Sequence, residues 1–190
     1  MLPIANWDEV EKVEERKTLP AGIYGLIITK VDNHQDENYM EVFFDIAKGE
    51  FMNYFKNLQS NLGEGKTARN CSERIYYTDA SMKFFKAFIT RVEESNPGFV
   101  FKETWDEQKI VGKHIIGVFG EEEYYKDGEV KTAVKFREFR SLVAYKEGKI
   151  KMPSLIKLTS EELAEAKSKE SGSISSTELP TGINLDELPW

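Results

Sequence analysis

Cysteine is almost missing from this 190-residue sequence: Cys71 stands alone, so no internal disulfide can form. Histidine is nearly as scarce. His34 and His114 are far apart and, with one thiol, do not make a structural zinc site. No apolar run approaches the ~18 residues that a membrane span needs. The opening stretch, MLPIANWDEVEKVEERK, carries acids where a signal peptide has a basic start and an apolar segment. The expectation is a cytoplasmic protein with no membrane partner. Basic charge is also in deficit, with 26 Lys and Arg against 33 Asp and Glu, a net of −7. Taken over the whole chain, that balance argues against a general polyanion binder. What is present is a 40% hydrophobic and 12% aromatic composition. It suffices for one core, excludes wholesale disorder, and is short for two domains.

The charge is unevenly spread. Thr159 to Trp190 holds seven acids against two bases, a net of −5. The preceding 158 residues hold 24 bases against 26 acids, a net of −2. Within them, Val130 to Leu158 has eight bases against two acids, a net of +6. The chain reads as a near-neutral body, a basic final stretch of that body and an acidic tail.

Three parts follow from composition: a lead-in over 1–19, a folded body over 20–158, and a linker with an acidic tail over 159–190. In the lead-in, Trp7 and Val10 sit three apart, as on one helical turn. A β-branched strand runs from Ile23 to Val31, and a second from Tyr39 to Ile46 puts Met40, Val42, Phe44 and Ile46 on one face. Glu50 to Lys56 reads as a further strand, 57–73 as a mobile loop, and Arg74 to Tyr77 as a short strand. Asp79 is a candidate N-cap for a helix over 81–94, where Phe84, Phe85, Phe88, Ile89 and Val92 recur at helical spacing. Long strands at 112–121 and 130–143 flank Asp127-Gly128, a strong hairpin signal. Thr159 to Glu162 has capping-box spacing, and the Ser- and Gly-rich stretch after it reads as a linker. Strands, one helix, then two strands match the OB-fold, a five-stranded Greek-key barrel that binds oligonucleotides across a sheet face and adjoining loops.

In the last strand, strict alternation puts Lys131, Ala133, Lys135, Arg137, Phe139 and Ser141 on one face. Val130, Thr132, Val134 and Phe136 fall on the core face. Cations that follow phosphates, with a ring between them to stack on bases, are what a single-strand binder needs. Tyr124 and Tyr125, beside the hairpin turn, are candidate base-stacking residues. Arg140, Lys113, Lys66, Arg69 and Arg74 are further candidate cations. Enzyme chemistry has little support. Cys71 has no base near it in sequence, and Glu121-Glu122-Glu123 alternate sides on a strand rather than converging on an ion. Gly63-Glu64-Gly65-Lys66-Thr67 lacks the upstream glycine of a phosphate-binding loop. The expectation is a non-catalytic protein that needs no cofactor.

Asp186-Glu187-Leu188-Pro189-Trp190 resembles the acidic tail of bacterial and phage single-stranded DNA-binding proteins, with Trp where Phe is common. Pro20-Ala21-Gly22-Ile23-Tyr24, Phe44 to Phe51, Val111-Gly112-Lys113 and Gly120 to Tyr124 resemble the early-region single-stranded DNA-binding proteins of phages that infect Gram-positive bacteria. The resemblance implies an OB-fold that coats single-stranded DNA during phage replication and recombination in the host cytoplasm. It also implies that Asp186, Glu187, Leu188, Pro189 and Trp190 recruit replication or recombination proteins. A homo-oligomer is allowed. The competing expectation is a protein-recruiting adaptor with an OB-like body.

Overall fold

The computed structural model describes residues 17–62, 68 and 70–173. Expectations for Trp7, Val10, Lys66, Arg69 and Asp186–Trp190 lie outside them. Among the described residues no helix is long and apolar enough to cross a membrane.

The architecture is mainly β. Strands β1 (Gly22–His34), β2 (Tyr39–Ile46), β3 (Ser72–Tyr76), β4 (His114–Lys126) and β5 (Glu129–Arg140) form one sheet in the order β3-β2-β1-β4-β5. Every pairing is antiparallel. Four helices accompany it: α1 (Tyr54–Ser60), α2 (Met82–Ser95), α3 (Leu142–Lys146) and α4 (Ser160–Ser173). Helix α2 falls between β3 and β4. The sheet is a curled half-barrel, compatible with an OB-like fold. Its outer strands, β3 and β5, share no ladder. The curl is deep enough for β2 to meet β5 through side chains: the Phe44 ring lies 4.8 Å from Phe136 and 5.4 Å from Phe139.

Two bulges drive this curvature. In β1, Ile28 pairs with Phe44 and Lys30 with Phe43, so Thr29 is an extra residue. In β5, Glu138 pairs with Val118 and Phe136 with Phe119, so Arg137 is extra. A bulge bends its strand and shifts the inward-outward alternation by one. Beyond Thr29 the inward position passes to Val31, which is buried. Beyond Arg137 it passes to Phe139, only 4% exposed and part of the core. This corrects the expected strand pattern: Phe139 is an interior residue, not a member of the basic face. The predicted core face is also shorter, since Val130 and Thr132 are exposed where the hairpin runs past the core.

Other expectations held or moved for identifiable reasons. Met40, Val42, Phe44 and Ile46 are all buried together, as alternation predicts. Asp127 (φ 56°) and Gly128 (φ 81°) form the two-residue turn between Lys126 and Glu129. Glu50 to Lys56 is not a strand. It is a turn leading into α1, whose first amides are held by the buried carboxylate of Asp45. That carboxylate accepts hydrogen bonds from the backbone N–H of Ile46 (2.7 Å), Phe55 (3.0 Å) and Lys56 (3.0 Å). Helix α2 begins after Ser81 rather than Asp79. It buries Phe88, Ile89 and Val92 but leaves Phe84 65% exposed. The capping box forms: Glu162 N–H donates to Thr159 Oγ1 (3.2 Å) and Thr159 N–H to Glu162 Oε2 (2.9 Å). Helix α4 then continues to Ser173, through sequence that reads as linker, and packs against β4.

Asp45→Ala leaves three amides without their acceptor and should cost about 3 kcal/mol. Urea denaturation followed by far-UV circular dichroism measures it; a loss below about 1 kcal/mol would contradict the anchoring role.

Candidate nucleic-acid interface

The basic face of β5 is real but largely neutralised. Lys131 Nζ lies 2.9 Å from Asp127 Oδ2, and Arg140 Nη2 lies 2.8 Å from Glu138 Oε1. Glu122, on the neighbouring strand, takes two cations at once: Lys135, and Arg137 at 2.8 Å. Arg137 also donates through Nη2 to the Glu121 carbonyl at 3.0 Å. The Lys135 and Arg137 contacts hold the Glu122 carboxyl below its ordinary range, against the opposing effect of burial. Chain from the segment after α3 lies over part of this face. A Cβ at Gly120 would come within 2.7 Å of Pro153 Cγ and 3.1 Å of Arg137 Nε. A +6 stretch therefore presents fewer free cations than its count suggests.

Around the hairpin, Tyr124 is exposed opposite Lys131, and Tyr125 is half-buried with Lys167 Nζ 5.8 Å from its ring centre. Glu123 is engaged structurally, its carboxylate accepting the Leu158 N–H at 3.1 Å. Ile156 pairs with this same edge of β4. Lys113 places its ammonium 4.8 Å from the Phe99 ring centre.

The outward face of β1, β2 and β3 carries a different arrangement. Register puts Tyr39 between His34 and Tyr76, Glu41 between Asp32 and Arg74, and Phe43 between Lys30 and Ser72. The first trio is a row of rings. His34 stacks on Tyr39 at 4.5 Å and 17°, and Tyr76 lies 5.3 Å from Tyr39 on the other side. The Arg74 guanidinium sits over Tyr39 at 4.9 Å, and Lys30 over Phe43 at 5.2 Å. Tyr39 is only 5% exposed, its ring covered by His34, Tyr76 and the Arg74 guanidinium. Tyr76 is 44% exposed. Formal charge across this face is balanced, with Lys30 and Arg74 against Asp32 and Glu41. Ser72 Oγ donates to Glu41 at 2.8 Å and Lys30 to Asp32 at 2.5 Å.

Beyond the free edge of β3 the character changes. Arg74 and Tyr76 also line a cleft between β3, α2 and β5 that exposes Phe84. It adjoins a groove along α2 bordered by Lys83, Lys86, Arg91 and Arg140, with Glu94 beside them and Arg140 paired to Glu138 at 2.8 Å. Lys83 Nζ lies 4.9 Å from the Phe84 ring centre. Burial, and then the nearby Arg140, hold Arg91 below the usual guanidinium range, without discharging it at neutral pH. The result is an aromatic platform with a basic groove along one side.

Of the expected contact residues that are described, Arg74 reaches the platform, Arg140 borders the groove, and Arg137 and the buried Phe139 line the cleft between them. Tyr39, Phe43, Tyr76, Lys83, Phe84 and Arg91 are not picked out by the β5 pattern. A signal was available in β2: Tyr39 and Phe43 are aromatics alternating opposite the Met40–Ile46 core face, where a solvated strand normally carries polar groups. In comparisons with known proteins, no family model matches this chain and no curated protein matches it significantly.

Glu122→Gln should lower stability at pH 7, because a carboxylate whose folded-state pKa is depressed stabilises the fold above its unfolded value of ~4.3. As pH falls through the depressed folded-state pKa, the parent loses that contribution and the two proteins converge. Denaturation midpoints across a pH series test this; a difference unchanged at the acid end would overturn it.

Proposed function

We propose that this chain is a non-catalytic single-stranded DNA-binding protein on an OB-like half-barrel. Bases stack on the platform of His34, Tyr39, Phe43 and Tyr76, and phosphates follow Arg74 into the groove of Lys83, Lys86, Arg91 and Arg140. The observation that carries this reading is the row of rings with cations over their faces, opening sideways onto a basic groove. Stacking against aromatic side chains contributes roughly 1–3 kcal/mol per base and is indifferent to sequence, as coating a strand requires. Arg74 and Lys30 already occupy the ring faces, so a base and its phosphate would replace a cation–π contact with stacking and an ion pair. The resemblance to phage proteins supports a role in replication and recombination. It also supports recruitment of partner proteins through the acidic segment ending in Asp186-Glu187-Leu188-Pro189-Trp190.

The test is fluorescence anisotropy with labelled oligo-dT across a salt series. Wild type should bind, with affinity falling steeply as salt rises. Arg74→Ala combined with Tyr76→Ala should weaken binding at least tenfold and flatten the salt slope by about 0.7, one phosphate's share for a single strand. Both side chains are exposed, so denaturation midpoints should hold. No binding at micromolar protein in low salt would overturn the reading and favour the adaptor.

The acidic segment supplies a second test. Tethered to the body, it competes with phosphates for cations at high effective concentration. Deleting residues 183–190 should raise DNA affinity at low salt, with the gain shrinking as salt screens the tether. An equal affinity at every salt concentration would remove the segment from the binding equilibrium.

A further inference from the structure

Trp105 is the most exposed large apolar side chain among the described residues, at 71%. It is not on a loose loop. Its N–H donates to the Phe101 carbonyl at 3.0 Å, and the Phe101 N–H donates to the Glu93 carboxylate at 2.8 Å. On the following side, Asp106 Oδ1 caps the next turn by accepting from the Gln108 N–H at 2.9 Å, and Gln108 Nε2 reaches the Val31 carbonyl at 3.0 Å. These bonds hold Trp105 at φ 50°, a left-handed conformation that a bulky residue adopts only when its surroundings impose it. The chain therefore spends conformational energy to keep an indole in water.

The indole stands over a groove whose apolar wall includes Met82 and Phe85. Gln35 and Asn38 line it too; both are exposed, and neither side-chain amide makes a hydrogen bond among the described residues. Asn33, also in the wall, is already used: it accepts from the Tyr77 hydroxyl at 2.7 Å and donates to Glu107 at 3.3 Å. Glu107 is the one charged group among the described lining residues. A groove lined by both an indole and free amides suits a planar ligand whose edge carries donors and acceptors. The Glu107 carboxylate disfavours phosphate and acidic peptides inside the groove, so a nucleotide there presents its base and keeps its phosphate outside. The groove also adjoins the ring platform. Asn38 directly precedes Tyr39, Tyr77 directly follows Tyr76, and the Tyr77 N–H to Asn38 carbonyl bond (2.9 Å) forms the rim between them.

We infer that the Trp105 groove is a nucleobase site. The strand crossing the His34–Tyr39–Tyr76 platform turns one base over this rim, stacks it on Trp105 and meets its edge with Gln35 and Asn38. This rests on the single-strand-binding reading above, and adds a site that reads bases rather than backbone.

The experiment uses full-length protein carrying Trp7→Phe and Trp190→Phe, so that Trp105 is the sole indole. Oligo-dT titration should quench Trp105 emission with the same midpoint as anisotropy. An abasic oligonucleotide of equal length, left with the phosphate contacts alone, should bind more weakly and without quenching at saturation. Trp105→Ala should weaken oligo-dT binding about tenfold, at an unchanged denaturation midpoint. Oligo-dT binding that leaves Trp105 emission and Trp105→Ala affinity unaltered overturns the base site while leaving the platform reading intact. Absence of any oligonucleotide binding overturns both.

Discussion

The Phe44 ring holds together a sheet that hydrogen bonding leaves open. Strands β3 and β5 end the sheet without a ladder between them, so the curl must be held from inside. Phe44 supplies that hold by touching Phe55 (6.0 Å), Phe119 (6.3 Å), Phe136 (4.8 Å) and Phe139 (5.4 Å), from α1, β4 and β5. Aromatic contacts of this kind add roughly 0.5–1.5 kcal/mol each beyond the area they bury. Phe136 and Phe139 lie three apart, and strict alternation would send them to opposite faces. The extra residue at Arg137 sends both inward. Core and bulge are thus one device: the bulge gives β5 its bend, and the bend is stable because it delivers a second ring to Phe44.

That device also decides what the surface can do. Once Phe139 is inside, the outer face of β5 has no aromatic among its cations, and those cations are held by Glu122, Glu138 and Asp127. Across the barrel, Phe44 pointing inward leaves Phe43 and Tyr39 pointing outward on the same strand. The same alternation that builds the core thus builds the ring platform. Because the two sheet edges do not join, helix α2 fills the space behind them, and its own outward cations, Lys83, Lys86 and Arg91, border the opening.

Much of this was legible from residue patterns. The Met40–Ile46 face, the Asp127-Gly128 hairpin and the Thr159–Glu162 capping box each depend on a few neighbouring residues with strong local preferences. What escaped was of two physical kinds. A bulge is a one-residue insertion that neither Thr nor Arg announces, so Thr29 and Arg137 read as ordinary alternation and every assignment beyond them shifts. Helix α1 escaped because its start is stabilised by a distant partner: Asp45 lies 10 and 11 residues before the Phe55 and Lys56 amides that it holds. The basic stretch has fewer free cations than its count for a related reason. A charge count registers Lys135 and Arg137, whereas the cross-strand register that brings Glu122 to both is a tertiary fact.

Net charge is therefore a poor guide to which face offers free cations. Exposed ion pairs contribute only about 0.2–1 kcal/mol each, so a face that binds by stacking at roughly 1–3 kcal/mol per base does not need a large positive count. Lys30 and Arg74 balance Asp32 and Glu41 on the platform, yet both cations lie over ring faces, where an incoming phosphate can draw them aside and leave the ring to a base. A near-neutral platform beside a basic groove separates the two tasks of holding a strand. In the proposed function the groove would draw in the backbone, and the rings would retain the bases. On this view the −2 of the body is compatible with single-strand binding, because the groove along α2 concentrates its positive charge where the rings are not.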